Sequence, residues 1–239
     1  MKTKIEVEAY SETLRHFVLA KCKKCRGLDV NCDCREKYYF NVAAYEACVP
    51  KDFWSVASSD VSHNKEVFNG VIEKYVSGLD KALRHGYGLV LLGDNGVGKT
   101  FFISYVLTKA IRLRRTVYYT TLPQLEHDMM AGMDDKEAKR RLDWLLTSDF
   151  LAIDEMGKEK RKTKNGSLFV NVQMERILKQ RYDDSMPVLL ATNMDHGALA
   201  GSYGSTVMSI IDGKYQTVAM EPGDCRKKMA EKMTKDMKY

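Results

Sequence analysis

The stretch Gly93-Asp94-Asn95-Gly96-Val97-Gly98-Lys99-Thr100 closes an apolar run, Tyr87-Gly88-Leu89-Val90-Leu91-Leu92, and leads into a segment of helical character from Phe101 to Leu113. Glycines at this spacing let successive backbone N–H groups turn toward a polyphosphate, and Lys99 offers a point charge to its β and γ phosphates. The Thr100 hydroxyl suits Mg²⁺, and the positive end of the following helix faces the same anion. The alternative is a glycine-rich turn with an incidental lysine; the strand before it and the helix after it favour a phosphate loop. Gly93 through Phe101 are therefore the expected nucleotide-binding residues, with ATP and Mg²⁺ as ligands.

The rest of the chain supplies the sheet that such a loop requires. Short apolar runs at Thr116–Thr121, Phe150–Asp154, Val188–Thr192 and Tyr215–Met220 read as strands. Helical periodicity fills Lys65 to His85, Leu125 to Met130, Lys136 to Leu146 and Leu168 to Tyr182. Alternation of this kind predicts a five-stranded parallel sheet covered by helices on both faces. The third run delivers Asp154 and Glu155 at its carboxyl end, the edge where open α/β sheets bind ligands. Asp154 is placed to hold Mg²⁺, and Glu155 to orient or deprotonate a water. Asn193 ends the next strand, where an amide can contact the γ-phosphate or simply cap a turn.

The first 49 residues read as a separate module, with 50–239 as the nucleotide domain. Ile5 to Ala20 carries one apolar helical face. Cys22, Cys25, Cys32 and Cys34 then lie within thirteen positions. Four thiolates so spaced close a tetrahedral structural zinc site, the competing reading being reduced thiols or a redox pair. His16 is a weaker substitute ligand. Lys21, Lys23, Lys24, Arg26 and Arg35 suit either a nucleic acid or a protein-docking rim. Cys48 and Cys225 stand apart and read as small core residues. Phe53 and Trp54 begin the second domain, as adenine-pocket walls or as core.

The 239 residues suffice for one substantial core and a small accessory module. No apolar run approaches the roughly 20 residues that span a bilayer, which predicts no membrane segment and a cytoplasmic protein. The net charge of +6 permits a polyanionic partner without requiring one.

Phosphate loop, strand ending in Asp154-Glu155, helix ending Lys179-Gln180-Arg181-Tyr182, Pro187 through Thr192-Asn193, and late Gly223-Asp224-Cys225-Arg226 together resemble the AAA+ ATPases of the DnaC/DnaI helicase-loader and IstB-like group, over residues 50 to 230 or so. The resemblance implies a P-loop AAA+ (ASCE) fold. It makes Asn193 sensor 1 and Arg226 a candidate sensor 2, with Glu155 and Lys99 the other catalytic residues, and it implies little or no helical lid. It also implies a cysteine-rich module that grips a DnaB-type replicative helicase, single-stranded DNA on the ATPase domain, and a homo-oligomer or helicase-bound ring. The basic loop Lys158, Lys160, Arg161, Lys162 and Lys164 is the expected DNA contact. The family's arginine finger is missing: residues 196 to 213 contain no arginine or lysine. That implies weak intrinsic hydrolysis, an ATP switch more than a motor, unless Arg181 or Arg226 supplies the charge; Arg181 reads more readily as a salt bridge fixing its helix. Met229, Met233 and Met237 form a stripe suited to packing on the domain. Rival readings are an IstB-like transposition ATPase, a non-hydrolytic nucleotide-binding adaptor and, more distantly, a small-molecule P-loop kinase.

Overall fold

Apolar runs too short for helices become the strands of one sheet: β1 (Gly88–Leu92), β2 (Val117–Thr121), β3 (Phe150–Met156), β4 (Val188–Thr192) and β5 (Tyr215–Ala219). Their order is β2-β3-β4-β1-β5, and every pairing is parallel. The computed structural model describes residues 2, 4–29, 31–131, 135–157 and 164–225, with 164–169 described as backbone. The chain opens with α1 (Lys4–Leu14), extended by a π-helical turn over Arg15–Ala20, and α2 (Asp33–Glu46). Then come α3 (Lys65–Val67), a π-helical turn over Phe68–Ile72, α4 (Glu73–Ser77) and α5 (Leu79–His85). Helix α6 (Lys99–Arg112) follows β1, α7 (Leu122–Ala131) and α8 (Lys136–Thr147) follow β2, α9 (Lys164–Asp183) follows β3, and α10 (His196–Lys214) joins β4 to β5.

Side chains alternate across the strands, so each sheet face has its own core. Leu89, Leu91, Tyr119, Ala152 and Leu189 pack with α6. Val90, Leu92, Tyr118, Ile153 and Leu190 pack on the other side with α9 and α10. This is the sandwich of helices that the sequence predicts. The helix expected over residues 65–85 is interrupted, first by the π turn containing Gly70 and then at Gly78 (φ −105°, ψ 19°). Its end is as expected, with Gly86 in the left-handed conformation (φ 70°).

Two helices were not legible in the sequence. Helix α2 joins the cysteine cluster to the sheet: Phe40, Ala44, Ala47 and Val49 share the buried cluster of α6. Just beyond it, the Ala47 carbonyl accepts the Tyr119 N–H at 2.9 Å, covering one donor of the edge strand β2. Helix α10 starts at the Asp195 cap, whose carboxylate accepts the Ala198 N–H at 2.7 Å, and bends at Gly204 (φ 81°, ψ 176°).

Arg181 departs from both expectations for it. It is 0% exposed and, among the described residues, makes neither a salt bridge nor a reach outward. Its guanidinium donates to the carbonyls of Leu145, Ser148, Asp149 and Pro187, tying α9 to the chain ends around β3 and β4. Burial lowers its pKa to about 10, which leaves it charged at neutral pH. Arg181→Met fills the volume but takes the shared donor from these carbonyls, of which Pro187 O keeps the Leu151 N–H at 3.3 Å. It is expected to cost about 3 kcal/mol or more in urea unfolding; a loss under about 1 kcal/mol would refute the anchoring role.

Candidate nucleotide site and cysteine cluster

The phosphate loop bends as its glycines predict. Gly96 and Gly98 have φ of 88° and 105°, and a Cβ at Gly96 would fall 2.7 Å from the Asp224 carboxylate. Gly98 caps the start of α6, so the helix N-terminus opens into a cavity of about 660 Å³. Asn95 through Phe101, Asp154, Glu155 and Asn193 all line it. Gly93 and Asp94 serve differently: their carbonyls accept from the Lys99 ammonium at 2.6 and 2.7 Å. A third bond runs from Lys99 Nζ to Asn193 Oδ1 at 2.8 Å, and Asn193 Nδ2 donates to Asn95 Oδ1 at 3.0 Å. The tip of β4 is thus wired directly to the loop on β1.

Asp154 is 3% exposed and fully engaged. Its Oδ2 accepts the Thr100 hydroxyl at 2.7 Å and the Tyr119 phenol at 3.0 Å, while Oδ1 accepts the Glu155 N–H at 2.7 Å. A hydroxyl and a carboxylate oxygen this close form the hard-oxygen pair that Mg²⁺ favours, so the donor set fits. Glu155 is set by a bulge: between Ile153 and Met156, β3 takes one residue more than β4 does between Leu190 and Thr192. Glu155 itself has φ 59°, a left-handed conformation that costs a non-glycine residue on the order of 1 kcal/mol. Bulges re-aim side chains beside functional clefts, and here two adjacent acids both reach the cavity.

Three contributors escaped the sequence reading. Tyr119 looks like any strand aromatic; burial and then the Asp154 charge push its phenol pKa up, keeping it a donor. Asn64 (φ 52°) precedes a helix like an ordinary cap. Instead its amide donates to Val97 O and Glu221 O and accepts the Glu221 N–H, joining the phosphate loop to the segment after β5. Cys225, expected in the core, is half-buried and lines the cavity, its N–H bonded to Gly96 O. Of the two aromatics at the domain start, Phe53 lines the cavity, edge-on to Phe101 at 6.1 Å. Trp54 packs instead against Tyr10 and donates to Val49 O. Arg226, Lys158, Lys160, Arg161 and Lys162 lie outside the described residues, as do Met229, Met233 and Met237; Lys164 begins α9, with its side chain undescribed.

In the N-terminal module, Cys22 and Cys25 follow the π turn, Cys32 caps α2 and Cys34 lies in its first turn. Their four sulfurs lie within 4.8 Å of one another. The Cys22–Cys32 and Cys25–Cys34 separations are 3.8 and 3.4 Å. A regular tetrahedron of Zn–S bonds has S···S edges of about 3.8 Å, so the cluster fits zinc. The Gly27 N–H points at Cys25 Sγ from 3.3 Å, as a donor to a thiolate. His16 makes its ring contact with Phe17 and is not among the clustered ligands.

Sheet order, phosphate loop on β1 and buried acid on β3 define a P-loop protein of the AAA+ type. Residues 62–211 match the IstB-like ATP-binding proteins, and the chain belongs to that family. A Pseudomonas aeruginosa protein of insertion sequence IS21, named for ATP binding, is 26% identical over 121 residues; the match covers 51% of this chain and 43% of that protein. A Bacteroides fragilis IS21-like counterpart is 30% identical over 74 residues, covering 31% and 37%. The chain therefore aligns with under half the length of these relatives. Among solved structures, the DnaC helicase loader superposes with a TM-score of 0.61 at 20% identity, covering 72% of this chain and 99% of that one. DnaI gives 0.59 at 20% identity, covering 73% and 93%. Among the described residues, no helix is long and apolar enough to cross a membrane.

Two measurements check this geometry. Tyr119→Phe frees one side of Asp154 and is expected to raise the Mg²⁺ concentration for half-maximal ATP binding about tenfold, leaving metal-free nucleotide affinity unchanged; an unaltered Mg²⁺ dependence would remove Tyr119 from the site. Purified protein is expected to carry about one zinc per chain, and Co²⁺ in its place should give the intense absorption of tetrahedral thiolate coordination. Metal well below half an equivalent, without loss in purification, would refute the cluster as a zinc site.

Proposed function

We propose that the chain is an ATP-dependent switch that loads a replicative helicase of the DnaB type onto single-stranded DNA, acting as a helicase-bound ring or a homo-oligomer. The observation that carries the switch is the Asn95–Asn193–Lys99 chain: Asn193, directly after β4, is bonded at once to Lys99 at the start of α6 and to Asn95 in the phosphate loop. Loss or gain of that phosphate would rearrange bonds reaching β4, and through β4 the helix α10 that follows it. In this reading Lys99 binds the phosphates, Thr100 and Asp154 hold Mg²⁺, Glu155 orients the attacking water, and Arg226 is the second sensor. Mg²⁺, when bound, neutralises the charge that develops on the β and γ oxygens. The cysteine module, residues 1–49, is the helicase grip, and the basic loop from Lys158 to Lys164 is the DNA contact. The fold likeness to the solved chain of the DnaC helicase loader, over 99% of that chain, supports this assignment of partner.

The second reading is a transposition ATPase that assembles on duplex DNA and recruits a transposase; what favours it is the IS21 origin of the sequence relatives. Retention of the cognate helicase hexamer on the immobilised chain, strengthened by ATP, is the expected result. No enrichment with or without ATP, together with ATP-dependent filaments on duplex DNA, would move the assignment to the second reading. Glu155→Gln is expected to keep ATP binding, slow hydrolysis about a hundredfold or more, and trap the partner complex. Unchanged loading by this variant would mean a non-hydrolytic adaptor.

A further inference from the structure

From Arg15 to Leu28 the chain carries Arg15, Lys21, Lys23, Lys24 and Arg26 and not one aspartate or glutamate. All five side chains are exposed. Among the described residues, none of them makes an ion pair. Neighbouring bases behave differently: Arg114 pairs with Glu36, Arg140 with Glu46, and Arg35 donates to the Gly27 carbonyl. A four-thiolate zinc centre would itself be anionic, but five cations exceed it. The strip is a run of five exposed cations, bordered by Glu12, Asp29 and Asp33, with no ion pair drawn to it among the described residues.

It is also not an ordinary solvated rim. The π-helical turn Arg15–Ala20 turns Leu19 inward onto the cysteine cluster and leaves the Phe17 ring 58% exposed. The Lys21 ammonium sits 4.5 Å from the centroid of that ring. The ammonium lies over one face of the ring; the exposed remainder can stack an unpaired base while Lys21 holds a neighbouring phosphate. The loop that presents Lys23, Lys24 and Arg26 is fixed at both ends by the clustered sulfurs and by the Gly27 bonds to Cys25 and Arg35. Preorganised cations lose little entropy on binding.

We propose that this strip is a single-stranded nucleic-acid contact, with phosphates on Lys21, Lys23, Lys24 and Arg26 and a base on Phe17. None of these residues lines the ATP cavity. An unpaired strand is required because a duplex buries its base faces.

The test is fluorescence anisotropy of a labelled oligo-dT with the full chain, across a salt series. Each variant is read in the wild-type chain and in one carrying alanine at Lys160, Arg161 and Lys162, so the two surfaces are scored separately. Lys21→Glu with Lys24→Glu is expected to weaken binding at least tenfold in both backgrounds and to lower the salt slope by about two. Phe17→Ala is expected to weaken it about tenfold with the slope unchanged. Zinc content of each variant must match wild type, so that loss of fold is not read as loss of contact. Wild-type affinity and slope in zinc-replete variants would overturn the proposal. So would equal preference for duplex, or loss of helicase retention with oligonucleotide binding intact, which would make the strip a protein-docking face.

Discussion

Asp154 lies inside the sheet, where each of its oxygens needs a donor, since an unsatisfied buried carboxylate is among the more destabilising groups a core can hold. The three donors come from three places: Thr100 at the start of α6, Tyr119 on β2, and the backbone of Glu155 on β3 itself. The acid therefore fixes the phosphate loop laterally against two strands. Lys99 does the same on the other side, its ammonium held by Gly93, Asp94 and Asn193. A buried cation and a buried anion at the carboxyl edge brace one crevice from opposite walls. The bulge at Glu155 follows from this: β3 needs an extra residue to turn one acid down toward Thr100 and still present the next to the cavity.

The same edge explains how the cysteine module is joined to the nucleotide domain. Strand β2 is a sheet edge, and its Tyr119 N–H is met by the carbonyl of Ala47, just past the end of α2. The residue whose phenol steadies Asp154 thus has its backbone held by the segment leading from the cysteines. Arg112 lies over the Phe40 ring at 4.5 Å, giving α2 a second hold on the far end of α6. A change in the module would reach the acid through one residue of β2, without needing to touch nucleotide. That continuity gives the proposed partner grip a physical route to the ATP site.

Sheet, strand identities and the glycine loop were readable because each rests on local pattern: short apolar runs, turn residues, and a glycine spacing with one mechanical purpose. Lys99, Thr100, Asp154, Glu155 and Asn193 converge for the same reason, each lying at a strand end or helix start that topology forces onto one edge. Tyr119, Asn64 and the Ala47 carbonyl were not readable, since their contributions depend on partners far away in sequence. Helix α2 was missed because its apolar residues run almost unbroken from Tyr38 to Tyr45, with no helical periodicity to read, and its burial is split between two cores. Helix α10 was missed because Gly197, Gly201, Gly204 and Gly213 argue against a helix; the Asp195 cap and the buried face of Leu199, Tyr203, Val207 and Ile211 outweigh them.

The placement of Arg181 bears on how fast such a site can turn over. Residues 196–213 contain no arginine or lysine, and Arg181 is committed to four carbonyls inside the domain. Moving it outward would strand those carbonyls and unpin α9, so the fold itself forbids its use as a finger toward a neighbouring chain. Among the described residues of the cavity, the positive charge close to the phosphate position is Lys99, which is needed for binding and is already bonded to Asn193. Ground-state attraction of that kind holds ATP without selectively lowering the barrier. An arginine finger contributes on the order of 10³ to 10⁵ in rate. The proposed switch rests on this: such a site would hold ATP as a signal, with hydrolysis waiting on charge brought by Arg226 or by a partner.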